Sequence, residues 1–414
     1  MAIKLKKETF LAAQFFLFYI LSGLLPKFMV QGIFVLEILY FTWYYIKKQK
    51  VINRCFCRSK EGKDYYRIFI LFIGLAFFYL CISIFNLPKL WNIKNLLYDF
   101  SYIFRHFIII LEMIVAIGFG FLLHKTDFIK KVTNKQIILT LIIISIVSIT
   151  QMYAIGYTGL MVLLISLYAI RKKKKIFIFL IPFVFTEQTA FILASLLFIF
   201  LVYTRKVVVY FIRKHTRFKL IVFLTICIFT IIVLSALLYK IILQDPNSLW
   251  RLLVWADEIG SLFETSGTGV GFGTAYVTEN IVNTVDNSNM YMDEKGNYYS
   301  GLFLVANHNT FLNMFYRMGF IGGLLFIALN IQIIHWSIKT YIKSDKVKSV
   351  YIWWGLLNFL YNTIIILLNP GLEMIQFAIN YITSLAVFIA VLLNYNSQIY
   401  HITHKTHILH NNVK

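Results

Sequence analysis

"KKQKVINRCFCRSKEGKDYYRIFILFIGLAFFYLCISIFN", residues 47–86, holds eight Lys and Arg in its first 21 positions and no charge in its last 19. Nineteen uncharged, mainly apolar residues wound as a helix cross a hydrocarbon layer about 30 Å thick. Helices and closed barrels alone satisfy every backbone polar group there. The pattern repeats in both directions. Twelve membrane segments are expected, at 9–25, 28–46, 68–86, 106–123, 137–153, 159–170, 176–186, 189–203, 220–239, 311–334, 350–368 and 376–393. The chain of 414 residues is 59% hydrophobic and 14% charged, with mean hydropathy +0.74. A soluble domain is about half apolar and a quarter charged. The expected fold is all-α: one polytopic integral membrane bundle of about 12 transmembrane helices, not two or three soluble domains.

A net charge of +22 raises nucleic acid as a partner, but the distribution excludes that reading. With the N-terminus placed in the cytoplasm, 32 of the 40 Lys and Arg fall in cytoplasmic segments, chiefly 47–67, 124–135, 171–175, 204–219 and 335–349. That is the asymmetry of the positive-inside rule, and the reverse orientation inverts it. Both termini are then cytoplasmic. The run Lys4-Leu5-Lys6-Lys7 followed by apolar residues has no small-residue cleavage site after it, so it reads as an uncleaved first helix. Of the four cysteines, Cys55, Cys57, Cys81 and Cys227, none lies in a segment expected outside, and Cys55-Phe56-Cys57 lacks the spacing of a redox or zinc motif.

Residues 176–203 read as one overlong helix or as a hairpin turning at Thr186-Glu187-Gln188-Thr189. A single helix would bury Glu187 near the bilayer centre, costing about 2.5–3.5 kcal/mol, and would move the basic stretch 204–219 outside. The hairpin is the expectation. Three regions follow: an N-terminal bundle of about nine spans (1–239), a long external loop (240–310), and the C-terminal spans with a cytoplasmic tail (311–414). In the loop eight acids outnumber Lys240, Arg251 and Lys295. Its first part, "NSLWRLLVWADEIGSLFE" (247–264), has helical apolar spacing and two tryptophans, as suits a helix lying on the outer interface. "GTGVGFGT" follows, with glycines at 267, 269, 271 and 273, and then the polar stretch 285–301.

The chemistry-bearing residues cluster in this loop. His308 stands just before the tenth span, where Asn309 or Thr310 can cap the helix. A helix N-terminus attracts anions, and an imidazole beside positive charge stays neutral and able to accept a proton. Arg251 offers the planar fork that suits phosphate. Glycines let backbone approach backbone, or backbone approach a substrate. This combination fits a lipid-linked diphosphate sugar held at headgroup level. His308 would deprotonate the attacking hydroxyl while Arg251 stabilises the departing diphosphate, with no metal and no other cofactor. The bland alternatives are a surface histidine, a snorkelling arginine and a flexible glycine loop. The glycines match neither the dinucleotide nor the P-loop spacing.

"LWRLLVWADEI", "GVGFG" and "NHNTFLNMFYRMGFIGGLLF", in that order over residues 249–327, resemble the O-antigen polymerase and O-antigen ligase superfamily. The shared features are Arg251-x-x-x-Trp255, Gly269-x-Gly271-x-Gly273, and His308-Asn309 opening a helix that continues to Gly319 and Gly322. The resemblance implies a metal-independent glycosyltransferase of the membrane-embedded (GT-C-like) class, with His308 and Arg251 as the functional pair. Substrate contacts from Asn309, Gly269, Gly271, Gly273 and Glu187 are expected beside them. Relatives often carry an arginine where this chain has 186–189. Arg317, Arg105 or Lys240 would then substitute, Arg317 either binding substrate or forming a salt bridge with Glu112 or Glu187.

The implied activity is polymerisation of undecaprenyl-diphosphate-linked oligosaccharide repeat units into O-antigen (lipopolysaccharide) or capsular polysaccharide at the outer face of a bacterial cytoplasmic (inner) membrane. The implied partners are that lipid-linked substrate, membrane lipid, a flippase and a chain-length regulator. A ligase moving finished glycan to lipid A-core or protein is the alternative. Glu37, mid-span in the second segment, keeps a proton-coupled transporter open as a rival from another class. The tail histidines 401, 404, 407 and 410 drift around a helix and read as a polar tail.

Overall fold

The computed structural model describes residues 27–85, 98–127, 131–150, 158–172, 189–206, 208, 210, 246–276, 309–368 and 378–395. The expected spans 9–25, 176–186 and 220–239 lie outside the described residues, as do His308, Glu187, Lys240, the stretch 285–301 and the histidine tail.

The described residues are almost entirely helical and contain no strand, with one isolated antiparallel bridge between Tyr98 and Thr274. The helices are α1 (Lys27–Phe56), α2 (Lys60–Ile84), α3 (Ile103–Thr126, led by a 3-10 turn Phe100–Tyr102), α4 (Asn134–Thr150), α5 (Thr158–Arg171) and α6 (Thr189–Tyr203). They continue with α7 (Pro246–Glu264), α8 (Thr310–Lys343), α9 (Lys346–Leu368) and α10 (Ala378–Tyr395). Among the described residues five helices are long and apolar enough to cross a membrane: α2, α3 with its lead-in turn, α8, most of α9, and α10. Their outward faces carry large apolar side chains, such as Leu71 and Phe78 on α2 and Ile321, Leu324 and Ile331 on α8. Such faces need an apolar solvent. By contrast α3 and α10 are almost wholly enclosed by the other helices.

The basic loop 47–67 is mostly helix. Beyond the hydrocarbon layer a helix still satisfies its own backbone, so α1 runs ten residues past the expected end of its span, and α2 begins eight residues before the start of the next. Only Cys57–Ser59 connect them, and Ser59 caps α2 by accepting the Gly62 N–H at 3.1 Å. Phe56, Tyr65 and Trp336 pack ring to ring, which brings the far end of α8 to this hairpin. The same end gathers His124 with Asn394 (2.5 Å), and Arg205 with the Tyr341 and Ser349 hydroxyls (3.1–3.3 Å). Arg171 reaches the Val132 carbonyl. Arg171 and Arg205, near the ends of α5 and α6, therefore lie at one end of the bundle.

Between α5 and α9 the core is polar at one point: the Ser166 hydroxyl accepts from Trp354 Nε1 (2.8 Å) and Asn358 Nδ2 (3.2 Å). The opposite end of the bundle collects the C-terminus of α2, the N-terminus of α3 and the first turns of α8, with α7 and the glycine turn packed over them.

Candidate functional site

α8 breaks. Met318 (φ −116°, ψ 15°) and Gly319 (φ 66°, ψ −171°) leave helical geometry, and the helix resumes beyond them. A break strands backbone groups that an intact helix would pair internally. Here the glycine turn satisfies them. Val270 N–H donates to the Tyr316 carbonyl (2.8 Å) and Gly271 N–H to the Arg317 carbonyl (2.9 Å), while Phe320 N–H donates to the Gly267 carbonyl (2.9 Å). Each bond pairs a backbone group that has lost its helical partner at the break.

The fit requires glycine on both sides. Gly269 and Gly319 have φ of +78° and +66°, in the left-handed region that side chains resist. A Cβ on Gly269 would sit 2.3 Å from Gly319 N, and one on Gly319 would sit 2.4 Å from the Gly267 carbonyl oxygen. The sequence left open whether the glycines admit backbone or substrate. At Gly269 it is the backbone of α8 that comes close. Gly273 is enclosed likewise, its Cβ position 2.7 Å from Ile103 and 3.0 Å from Tyr98. Gly271 is buried and, besides its bond to α8, accepts from Thr274 Oγ1 at 3.1 Å.

The turn is held from beneath by residues that the sequence reading missed. Tyr79 donates to the Thr268 carbonyl, and the Ser83 hydroxyl accepts Phe272 N–H at 2.7 Å while donating to the Tyr79 carbonyl at 2.8 Å. Asp99 N–H donates to the Gly273 carbonyl at 2.8 Å. Buried His106, on the first turn of α3, accepts Gly273 N–H at Nδ1 (3.2 Å) and sets its ring edge-on to Tyr276, centroids 4.9 Å apart. An imidazole nitrogen that accepts carries no proton, so Nδ1 is the acceptor side of the ring. Polar residues at the ends of two apolar spans (Tyr79, Ser83, His106) were the only advance signal.

α7 is amphipathic in the reverse of the soluble sense. Val254, Glu258, Ser261 and Leu262 are buried and Arg251 half-buried along one stripe, while Leu252, Ile259 and Phe263 are exposed on the other. Charge faces the bundle and apolar side chains face out, the arrangement of a helix lying where protein meets lipid. Phe263 packs edge-on to Phe320 beyond the break. Asp257 and Glu258 stand within electrostatic range of the Tyr316 hydroxyl, which donates to the Ala275 carbonyl at 2.8 Å.

Asn309 is the N-cap of α8, its side-chain oxygen accepting Leu312 N–H at 3.0 Å. That oxygen therefore serves the cap. Arg317 is fully buried beside the turn. Its Nη1 donates to the carbonyls of Thr274 (2.6 Å) and Gly271 (3.3 Å) and to the Thr274 hydroxyl. The Tyr276 and Tyr316 rings stand 4.5 and 5.2 Å from its guanidinium carbon. Among the described residues no carboxylate pairs with it, so the expected alternative of a salt bridge to Glu112 is corrected; Glu187 lies outside them. Arg105 is exposed on the outer side of α3. Glu37 is half-buried midway along α1 and takes no part in the network around the turn. About 20 residues of helix cross a hydrocarbon layer, so α8, at 34 residues, is longer than one crossing needs.

No protein-family model matches this chain, and no curated protein matches it.

Proposed function

We propose that the chain is a membrane-embedded glycosyltransferase that polymerises undecaprenyl-diphosphate-linked repeat units into O-antigen or capsular polysaccharide at the outer face of a bacterial cytoplasmic membrane. One observation carries the reading. The reversed amphipathicity of α7 turns Arg251 and Glu258 toward the bundle, on a helix tied through the glycine turn to α8. A substrate with its lipid in the bilayer and its diphosphate at headgroup level meets such a surface edge-on.

In the proposed reaction a hydroxyl of the incoming lipid-linked unit attacks the anomeric carbon of the growing chain's reducing-end sugar. The new glycosidic bond forms as the bond to the diphosphate breaks. His308, the residue before the Asn309 cap, takes the hydroxyl proton. Arg251 holds the charge that develops on the departing undecaprenyl diphosphate. The order of the Arg251, Gly269–Gly273 and His308-Asn309 motifs supports this assignment, as does their resemblance to the polymerase and ligase superfamily. The flippase and chain-length regulator are proposed partners on the same ground.

The test is the surface-glycan ladder of a deletion strain complemented with Arg251→Ala or His308→Ala. Single-repeat product is the expected outcome. Lipid-linked polymer left unattached to its final acceptor would identify a ligase, and normal ladders from both variants would refute the mechanism.

A further inference from the structure

We propose that Arg317 is the receptor for a single oxyanion, a phosphate or a carboxylate, taken edge-on by its Nε and Nη2 hydrogens. Arg317 is a whole positive charge with no exposed surface. Its Nη1 is bound by carbonyl and hydroxyl oxygens, which fix the plane of the guanidinium and neutralise nothing. Nε and Nη2 are buried as well, and among the described residues neither has a hydrogen-bond partner. These two nitrogens form one edge of the fork, with parallel N–H bonds at the spacing of two oxygens on one phosphorus or carbon.

The aromatic faces of Tyr276 and Tyr316 offset only part of the loss of hydration. An unpaired buried charge is among the most destabilising features a protein can hold. A backbone cage that orients that charge and leaves two of its donors without a partner among the described residues is suited to an anion. Glu258, buried nearby, lies beyond ion-pair distance of the guanidinium and acts on the Tyr316 hydroxyl.

The inference rests on the proposed function only for the origin of the anion, which is either the diphosphate of the lipid-linked substrate or the carboxylate of an acidic sugar. The experiment uses the purified full chain in detergent, with melting temperature followed at constant ionic strength while chloride is exchanged for inorganic pyrophosphate or for glucuronate. The wild-type protein is expected to melt higher in at least one of the two. Pyrophosphate alone assigns the edge to the diphosphate, and glucuronate alone assigns it to an acidic sugar. Arg317→Lys keeps the charge but not the paired edge, and should weaken the response at least tenfold. Glu258→Gln should leave the response in place, because the edge is not paired to Glu258.

Three results would overturn the proposal: equal melting in chloride and both oxyanions, a wild-type response from Arg317→Lys, or a response that appears only in Glu258→Gln. These readouts need no glycan. A normal ladder from the Arg251 and His308 variants with the melting response intact would remove the glycosyltransferase and leave the receptor standing. The reverse pattern would remove the receptor alone.

Discussion

Gly319→Ala is the most informative single substitution. The residue sits at φ 66° and ψ −171°, a combination open essentially to glycine, and holding alanine there costs about 1–3 kcal/mol. The new methyl would also stand 2.4 Å from the Gly267 carbonyl oxygen and 2.6 Å from the Thr268 carbonyl carbon and oxygen. Those are backbone atoms, so no rotamer change relieves the clash and the turn must move. Moving it breaks up to three backbone hydrogen bonds between turn and helix, each leaving a buried group whose desolvation is worth about 1–3 kcal/mol if water does not replace the partner. The expected loss is about 3–5 kcal/mol, below the sum of these terms because alanine favours straightening α8 and so recovers some helical bonds. Thermal unfolding of the purified protein reads the loss, and protease cleavage within 264–276 reads release of the turn. Gly74→Ala is the control: nothing lies within 4 Å of its Cβ position in α2, and an alanine there should stabilise by up to about 1 kcal/mol. Wild-type melting and wild-type protection of the turn in Gly319→Ala would refute the account of the break.

Ser83→Ala removes the acceptor of Phe272 N–H and should destabilise by about 1–3 kcal/mol, with faster hydrogen exchange at that amide than in the wild type. Ser166→Ala strands Trp354 Nε1 in the core and leaves Asn358 Nδ2 only the Trp354 carbonyl; a similar loss is expected, with a shift in tryptophan emission. Glu37→Gln should leave the glycan ladder unchanged, because the residue is outside the network around the turn, whereas a proton-coupled transporter would lose function.

The helices were legible because their signal is summed over 15 to 25 residues. The span expected at 189–203 coincides with α6, and 311–334, 350–368 and 376–393 each find a helix. Ends were less legible, since α1 and α2 continue through the basic stretch 47–67 where hydropathy has already fallen. The cap at Asn309 was readable from local chemistry alone. The break at Met318–Gly319 was not, because a glycine inside an apolar run is compatible with an unbroken helix until its partner turn, some 50 residues earlier in the chain, is seen against it. Arg317 shows the same limit. Its presence in a span marked it as costly, but only tertiary structure reveals carbonyls, not a carboxylate, around it. Tyr79, Ser83 and His106 carry no motif and act through the distant backbone they hold.

The account depends on which side of the membrane the glycine turn faces, and thiol labelling of intact cells reads that directly. Ser266→Cys puts a thiol on the exposed surface of the turn, in a chain whose exposed Cys81 is replaced by Ser. Native exposed Cys57, in the α1–α2 connector at the basic end, serves as the internal control. With an impermeant maleimide, the account predicts modification at position 266 in intact cells and at Cys57 only after lysis. Labelling of Cys57 in intact cells, with position 266 reacting only after lysis, would contradict it.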